Sequence, residues 1–131
     1  MIAYRPRILL VETDGSVGVP LRAGLELNAF DVESSDDDQG AIERMAEETF
    51  DVVVIDVRLS RRNGLGLLEH IGRTLPDFLT RIVVISGDAA ADVTREMKAI
   101  GVCDVVPKPV HLDTIVEAIR DCLEKTSPTV H

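Results

Sequence analysis

Between Asp51 and Asp56 the chain reads Asp-Val-Val-Val-Ile-Asp, four β-favouring apolar residues in a row with an acid at either end. A strand with one face in water alternates apolar and polar residues, so an unbroken run is the mark of a strand covered on both faces by helices. The same signature appears upstream in Ile8-Leu9-Leu10-Val11, opened by Arg7, and downstream in Ile82-Val83-Val84-Ile85, between Arg81 and Ser86. Val102 to Val106 is a shorter copy. Phe30 to Ser34 instead alternates, with Phe30 and Val32 on one side and Asp31 and Glu33 on the other, as an edge strand would. Five strands are expected.

The segments between them carry helical spacing. Leu21 and Leu25 mark a helix within Val17 to Asn28, and Pro20 requires that it start late, because proline fits only the first turn. Ile42, Met45 and Ala46 form a thin stripe after Asp36-Asp37-Asp38, whose carboxylates suit a helix N-terminus. Leu65, Leu68, Ile71 and Leu75 form a third stripe and Val93, Met97 and Ile100 a fourth; Leu112, Ile115, Val116, Ile119 and Leu123 form the most regular one. Strand and helix alternate five times, which specifies an α/β fold with a parallel sheet, since parallel neighbours need right-handed helical crossovers. One domain over residues 1–125 is expected, with 126–131 as a short frayed tail.

Composition narrows the function. Of the 131 residues, 45% are hydrophobic, enough for one sizeable core, and 23 acids against 14 bases leave a net charge of -9. Such a balance speaks against a surface that grips nucleic-acid phosphates. No apolar run approaches the length of a membrane span, and the N-terminal Met-Ile-Ala-Tyr-Arg-Pro-Arg lacks the apolar segment of a signal peptide, so a cytoplasmic location is expected. Cys103 and Cys122 are too few for a disulfide framework and read as reduced, mostly buried thiols. His70, His111 and His131 show no metal-ligand spacing, and His111 falls where the last helix would begin.

In a doubly wound sheet, ligands bind outside the carboxyl ends of the strands. The first apolar run closes with Glu12-Thr13-Asp14, the third with Asp56, the fourth with Ser86, and the fifth with Lys108 and Pro109. Three acids, a hydroxyl and a lysine from distant parts of the chain are thus expected on one rim. Clustered carboxylates suit a hard divalent cation such as Mg2+, which would also neutralise an incoming phosphoryl group. Asp56, at the centre, is the candidate nucleophile, because a carboxylate can form an acyl phosphate. Lys108 and Ser86 would meet phosphoryl oxygens with a point charge and a hydroxyl donor.

These residues together resemble the receiver domain of bacterial two-component response regulators over essentially the whole chain. Ile8 to Asp14 resembles the family's first strand with its acidic cluster, Asp56 to Gly64 the phosphoacceptor box, Ile85-Ser86-Gly87 the switch segment, and Pro107-Lys108-Pro109 the Lys-Pro signature with its cis peptide. The resemblance implies a flavodoxin-like (βα)5 three-layer sandwich with strand order 2-1-3-4-5. It implies Mg2+ held around Glu12, Asp14, Asp56 and Arg58, and phosphoryl transfer to Asp56 from a sensor histidine kinase or phosphotransfer protein. Output would pass through altered contacts with an effector protein supplied in trans or with a second copy of the chain, with neither nucleic acid nor membrane as a direct partner.

Three positions depart from the family pattern. Thr13 stands where the metal-binding acid is usual, and a neutral hydroxyl is the poorer Mg2+ ligand. Ser60 replaces a common proline. Val105 stands three positions before the lysine, where an aromatic ring usually rotates on activation. Arg58 and Asp88 would face each other across the mouth of such a site, and a salt bridge there is expected to tune phosphoryl lifetime. The alternative reading is an interaction module that no longer takes phosphate, favoured by Thr13 and Val105. A haloacid-dehalogenase-like phosphatase fits less well, because its general acid would fall at Arg58. A flavodoxin fits less well too, because acids follow the first strand where a phosphate cradle is needed.

Overall fold

The computed structural model describes residues 4–12, 18–57, 63–87 and 91–126. In chain order they form β1 (Arg7–Glu12), α1 (Gly18–Leu27), β2 (Asp31–Ser35), α2 (Asp38–Glu47), β3 (Val52–Val57) and α3 (Asn63–Thr74). A 3-10 turn (Pro76–Arg81), β4 (Ile82–Ser86), α4 (Ala91–Ile100), β5 (Asp104–Pro107) and α5 (Leu112–Thr126) follow. All neighbouring strands are parallel, in the order β2-β1-β3-β4-β5, which is the flavodoxin-like order expected from the sequence.

Pleating divides each apolar run between two cores. Ile8, Leu10, Val52, Val54, Val83 and Ile85 face Leu21 and Leu25 of α1 and Ile115, Ile119 and Cys122 of α5. Their neighbours Leu9, Val11, Val53, Ile55, Ile82 and Val84 face Ala41 and Met45 of α2, Leu68 and Ile71 of α3, and Met97 of α4. Every one of these strand residues is buried, which is why none of the runs could tolerate a polar interruption.

At the β2 edge, polar side chains tie the strand to α2. Arg44 Nη1 donates to Glu33 Oε1 at 2.8 Å, and Arg7 Nη2 donates to Glu48 Oε1 at 3.1 Å while its guanidinium lies over the Phe50 ring. Asp37 caps α2, its carboxylate accepting from the Gly40 N–H at 2.5 Å, so the acidic cluster does start that helix. α1 begins at Gly18, with Pro20 in its first turn. Gly101, at φ +117, turns the chain out of α4 and towards β5, a conformation that favours glycine.

Several expectations need correction. β2 begins and ends one residue later than the alternation indicated. β5 is Asp104–Pro107 rather than 102–106: Val102 is buried as expected but lies before the strand, and Cys103 N–H donates to Ile82 O at 2.8 Å. On α2 the buried stripe is Ala41 and Met45 with Ile42 partly covered, and Ala46 is exposed, because the face packed on the sheet runs through Ala41 and Met45, one turn apart, and Ala46 lies about 100° round from Met45. Leu67 joins Leu68 and Ile71 in the core of α3. Leu112 is exposed over a third of its surface, its methyl groups resting beside Gly24 of α1. The side chains of Leu65 and Val93 lie outside the described residues. His111 immediately precedes α5, its carbonyl accepting from Ile115 N–H, as the sequence indicated.

Candidate functional site

Parallel register brings the strand ends to one level. Glu12 pairs with Asp56 across β1 and β3, Val57 with Ser86 across β3 and β4, and Ser86 with Pro107 across β4 and β5. Four of the residues singled out from the sequence, Glu12, Asp56, Ser86 and Lys108, thus gather at the carboxyl rim although they come from the ends of four different strands.

Asp56 is the centre of this group. Its side chain is 3% exposed, and Lys108 Nζ lies 2.8 Å from its Oδ1. Removing a carboxylate from water costs several kcal/mol unless a charge or hydrogen bonds compensate, and Lys108 supplies the compensating charge. Lys108 follows β5 directly. Its N–H donates to Ser86 O at 2.8 Å, which extends the β4–β5 pairing past the strand end and fixes where the lysine stem begins. The bond to Pro109 is cis. A Cβ built at Gly87 would come 3.4 Å from Lys108 Cδ, so the bare backbone at 87 leaves the stem its path towards Asp56. The sequence offers Gly87 only as part of the Ile85-Ser86-Gly87 segment; its place beside the lysine stem appears with the fold.

Ser86 is almost fully buried at the end of β4. Val105 packs, partly buried, against the core formed with α2, α3 and α4. Thr13, Asp14, Arg58, Ser60 and Asp88 lie outside the described residues, so the expected Arg58–Asp88 salt bridge and the part of the metal set at Asp14 and Arg58 fall there too. Among the described residues, no three His, Cys, Asp or Glu side chains gather as a metal cage. The carboxylates of Glu12 and Asp56, on adjacent strands at one level, are nevertheless the oxygen donors that a hard cation such as Mg2+ prefers. No helix among the described residues is long and apolar enough to cross a membrane.

The sequence matches the family model of the response regulator receiver domain over residues 8–120. The chain belongs to this family. It is 32% identical over 122 residues to response regulator MprA of Mycolicibacterium vanbaalenii and 33% identical to that of Mycobacterium leprae, in each case over 93% of this chain. Those segments amount to 52% and 53% of the two relatives, so the chain spans about half the length of the curated proteins it matches. Among solved structures, a Francisella response regulator receiver domain superposes with a TM-score of 0.84 at 20% identity, covering 94% of this chain and all of that one. A CheY-like receiver domain protein from Methanospirillum hungatei superposes at 0.81 with 22% identity, over 93% of this chain and 96% of its own. A receiver domain is a signalling module of two-component systems rather than a classical enzyme, which removes the phosphatase reading. The flavodoxin reading now keeps only its fold.

Proposed function

We propose that this receiver domain accepts a phosphoryl group on Asp56 from a histidine kinase or phosphotransfer protein, in a Mg2+-dependent reaction, and signals through altered contacts with a protein partner. The observation that carries this reading is the buried Asp56 carboxylate at a strand end, held 2.8 Å from the Lys108 ammonium. A carboxylate enclosed this far costs stability, and a lysine placed to compensate it also lies where a second negative group would need a partner.

In the reaction, an Asp56 oxygen forms a bond to phosphorus as the donor's bond to phosphorus breaks. Asp56 must be ionised to attack, and the adjacent Lys108 charge favours that form. Lys108 then shifts from the carboxylate to a phosphoryl oxygen, a short movement because both lie at the same rim. Ser86, on the neighbouring strand, carries a hydroxyl that would donate to another phosphoryl oxygen. Glu12 and Asp56, with the Asp14 carboxylate and the backbone carbonyl of Arg58, would hold Mg2+, which would supply positive charge to the transferring group. Thr13 adds no carboxylate to this set, so a weakened metal affinity belongs to the proposal.

The test is to incubate the protein with acetyl phosphate and Mg2+ and to weigh it intact. One phosphoryl group should be gained, and the gain should vanish in Asp56→Asn and on chelation of the metal. Absence of any gain across a wide Mg2+ range would leave the domain as a phosphate-independent interaction module.

A further inference from the structure

At the opposite end of the sheet, where β4 and β5 begin, the two cysteines come together. Cys122, on the inner face of α5, is fully buried, and its thiol donates to the Thr80 carbonyl at 3.4 Å. Cys103, just before β5, is half-buried and packs against the same core that holds Cys122, its N–H donating to the Ile82 carbonyl at 2.8 Å, two residues on from the carbonyl that the Cys122 thiol meets. Cys103 also lines a pocket of about 530 Å3 whose walls include Asp77, Thr80, Arg81, Gly101 and Lys125. A cysteine that lines a pocket and packs against the core holding a second cysteine is a different object from two inert core cysteines. The walls carry two cations against one acid, in a chain whose net charge is -9.

We propose that Cys103 and Cys122 are a redox pair, oxidised to one intramolecular disulfide by a small, carboxylate-bearing disulfide that enters this pocket. The Cys103 sulfur, as thiolate, attacks one sulfur of the small disulfide. That S–S bond breaks, and the first small thiol leaves with the proton that Cys103 gave up. The Cys122 sulfur then attacks the Cys103 sulfur of the mixed disulfide, and the second small thiol leaves with the proton of Cys122. Two protein thiols are oxidised by two electrons, and one small disulfide is reduced to two thiols. Arg81 and Lys125 attract the carboxylates of the incoming reagent. Burial above all pushes the Cys122 thiol up from its ordinary range and the neighbouring Cys103 adds to this, while the charges of Lys125 and Arg81 oppose both. The loop closed by the new bond contains β5 and Lys108, so oxidation ties the lysine-bearing segment to α5.

This inference is independent of phosphoryl transfer, and so is its test. The reduced, folded chain is incubated with oxidised glutathione, quenched by alkylation, and examined by intact mass and by non-reducing peptide mapping. The wild type should lose two hydrogens and yield a linked Cys103–Cys122 peptide. Cys122→Ser should stop with one glutathione on Cys103, and Cys103→Ser should take up none over the same time. Lys125→Glu should slow the first step about threefold to tenfold with oxidised glutathione, and by less with the neutral bis(2-hydroxyethyl) disulfide. The proposal is overturned by a wild type whose two thiols both remain alkylatable, by glutathione that persists on Cys103 beside a reduced Cys122, or by cross-links only between chains. Equal slowing of Lys125→Glu with both reagents would overturn the assigned part of the pocket's charge.

Discussion

β3 is bracketed by two aspartates of opposite character. Asp51, just before the strand, is half-buried and accepts from neutral donors close at hand: the Tyr4 hydroxyl and, at 2.7 Å, the Arg7 N–H. Asp56, near the strand's other end, is enclosed, and its ionic partner comes from beyond β5, two strands away in the sheet. Asp51 fastens the N-terminal segment to the start of β3 through these two hydrogen bonds. Asp56 draws a lysine across the sheet, and it is here that a change of charge would alter long-range contacts. One residue type on one strand can therefore be a clasp or a switch, according to whether neutral neighbours or a remote charge satisfy it.

The sharpest way to break this comparison is to neutralise each aspartate in turn. Asp56→Asn should abolish phosphoryl uptake from acetyl phosphate while the protein stays folded. Asp51→Asn should leave uptake unchanged, as read by intact mass. A phosphorylated Asp56→Asn protein would erase the distinction.

Next in size is the loss of the distant partner. Lys108→Met leaves the Asp56 carboxylate enclosed without its lysine, and urea unfolding should show a loss of about 3 kcal/mol. Adding Asp56→Asn to that variant should recover most of the loss, because the charge that needed compensation is gone. Two additive losses would mean that the lysine is not held by the aspartate.

At the other end of the strand, Asp51→Ala should cost about 1–2 kcal/mol, the scale of two hydrogen bonds to a half-buried acceptor. It should have no effect on phosphoryl uptake. An effect on uptake would show that the strand's two ends are coupled.

The smallest effect concerns the β2 edge. The hydrogen bond from Arg44 holds Glu33 below its ordinary carboxylate range. A depressed folded pKa adds stability that is fully present above the ordinary value and is lost as pH falls through it towards the folded one. Melting curves between pH 6 and about pH 3 should therefore lose slightly less stability in Glu33→Gln than in the wild type. Both side chains of this ion pair are more than a third exposed, so salt should reduce the difference further.

Much of this arrangement was legible beforehand because burial on both faces leaves a strong trace in sequence. The unbroken runs at 8–11, 52–55 and 82–85 could hardly be anything but central strands, and the residues closing them could only meet at one rim. The partnership of Asp56 with Lys108 followed from that topology. Finer placement did not. Val102 looks like strand by composition, yet the turn at Gly101 delays β5 by two residues. Ala41 and Ala46 are equal in propensity, and only the packing of α2 on the sheet, with Met45 one turn from Ala41, decides which of them is buried. That Cys103 packs against the core holding Cys122 depends on the rotation of α5 about its own axis, which no spacing of two isolated cysteines could reveal.

Strand alternation has one last consequence at the rim. Continued along their strands, Glu12 and Asp56 follow the residues that look towards α1 and α5, whereas Ser86 follows those that look towards α2, α3 and α4. A molecule or group that grips both Asp56 and Ser86 therefore straddles the sheet like a peg through a board. Its arrival would be felt above and below at the same moment, with no relay needed between the two sides.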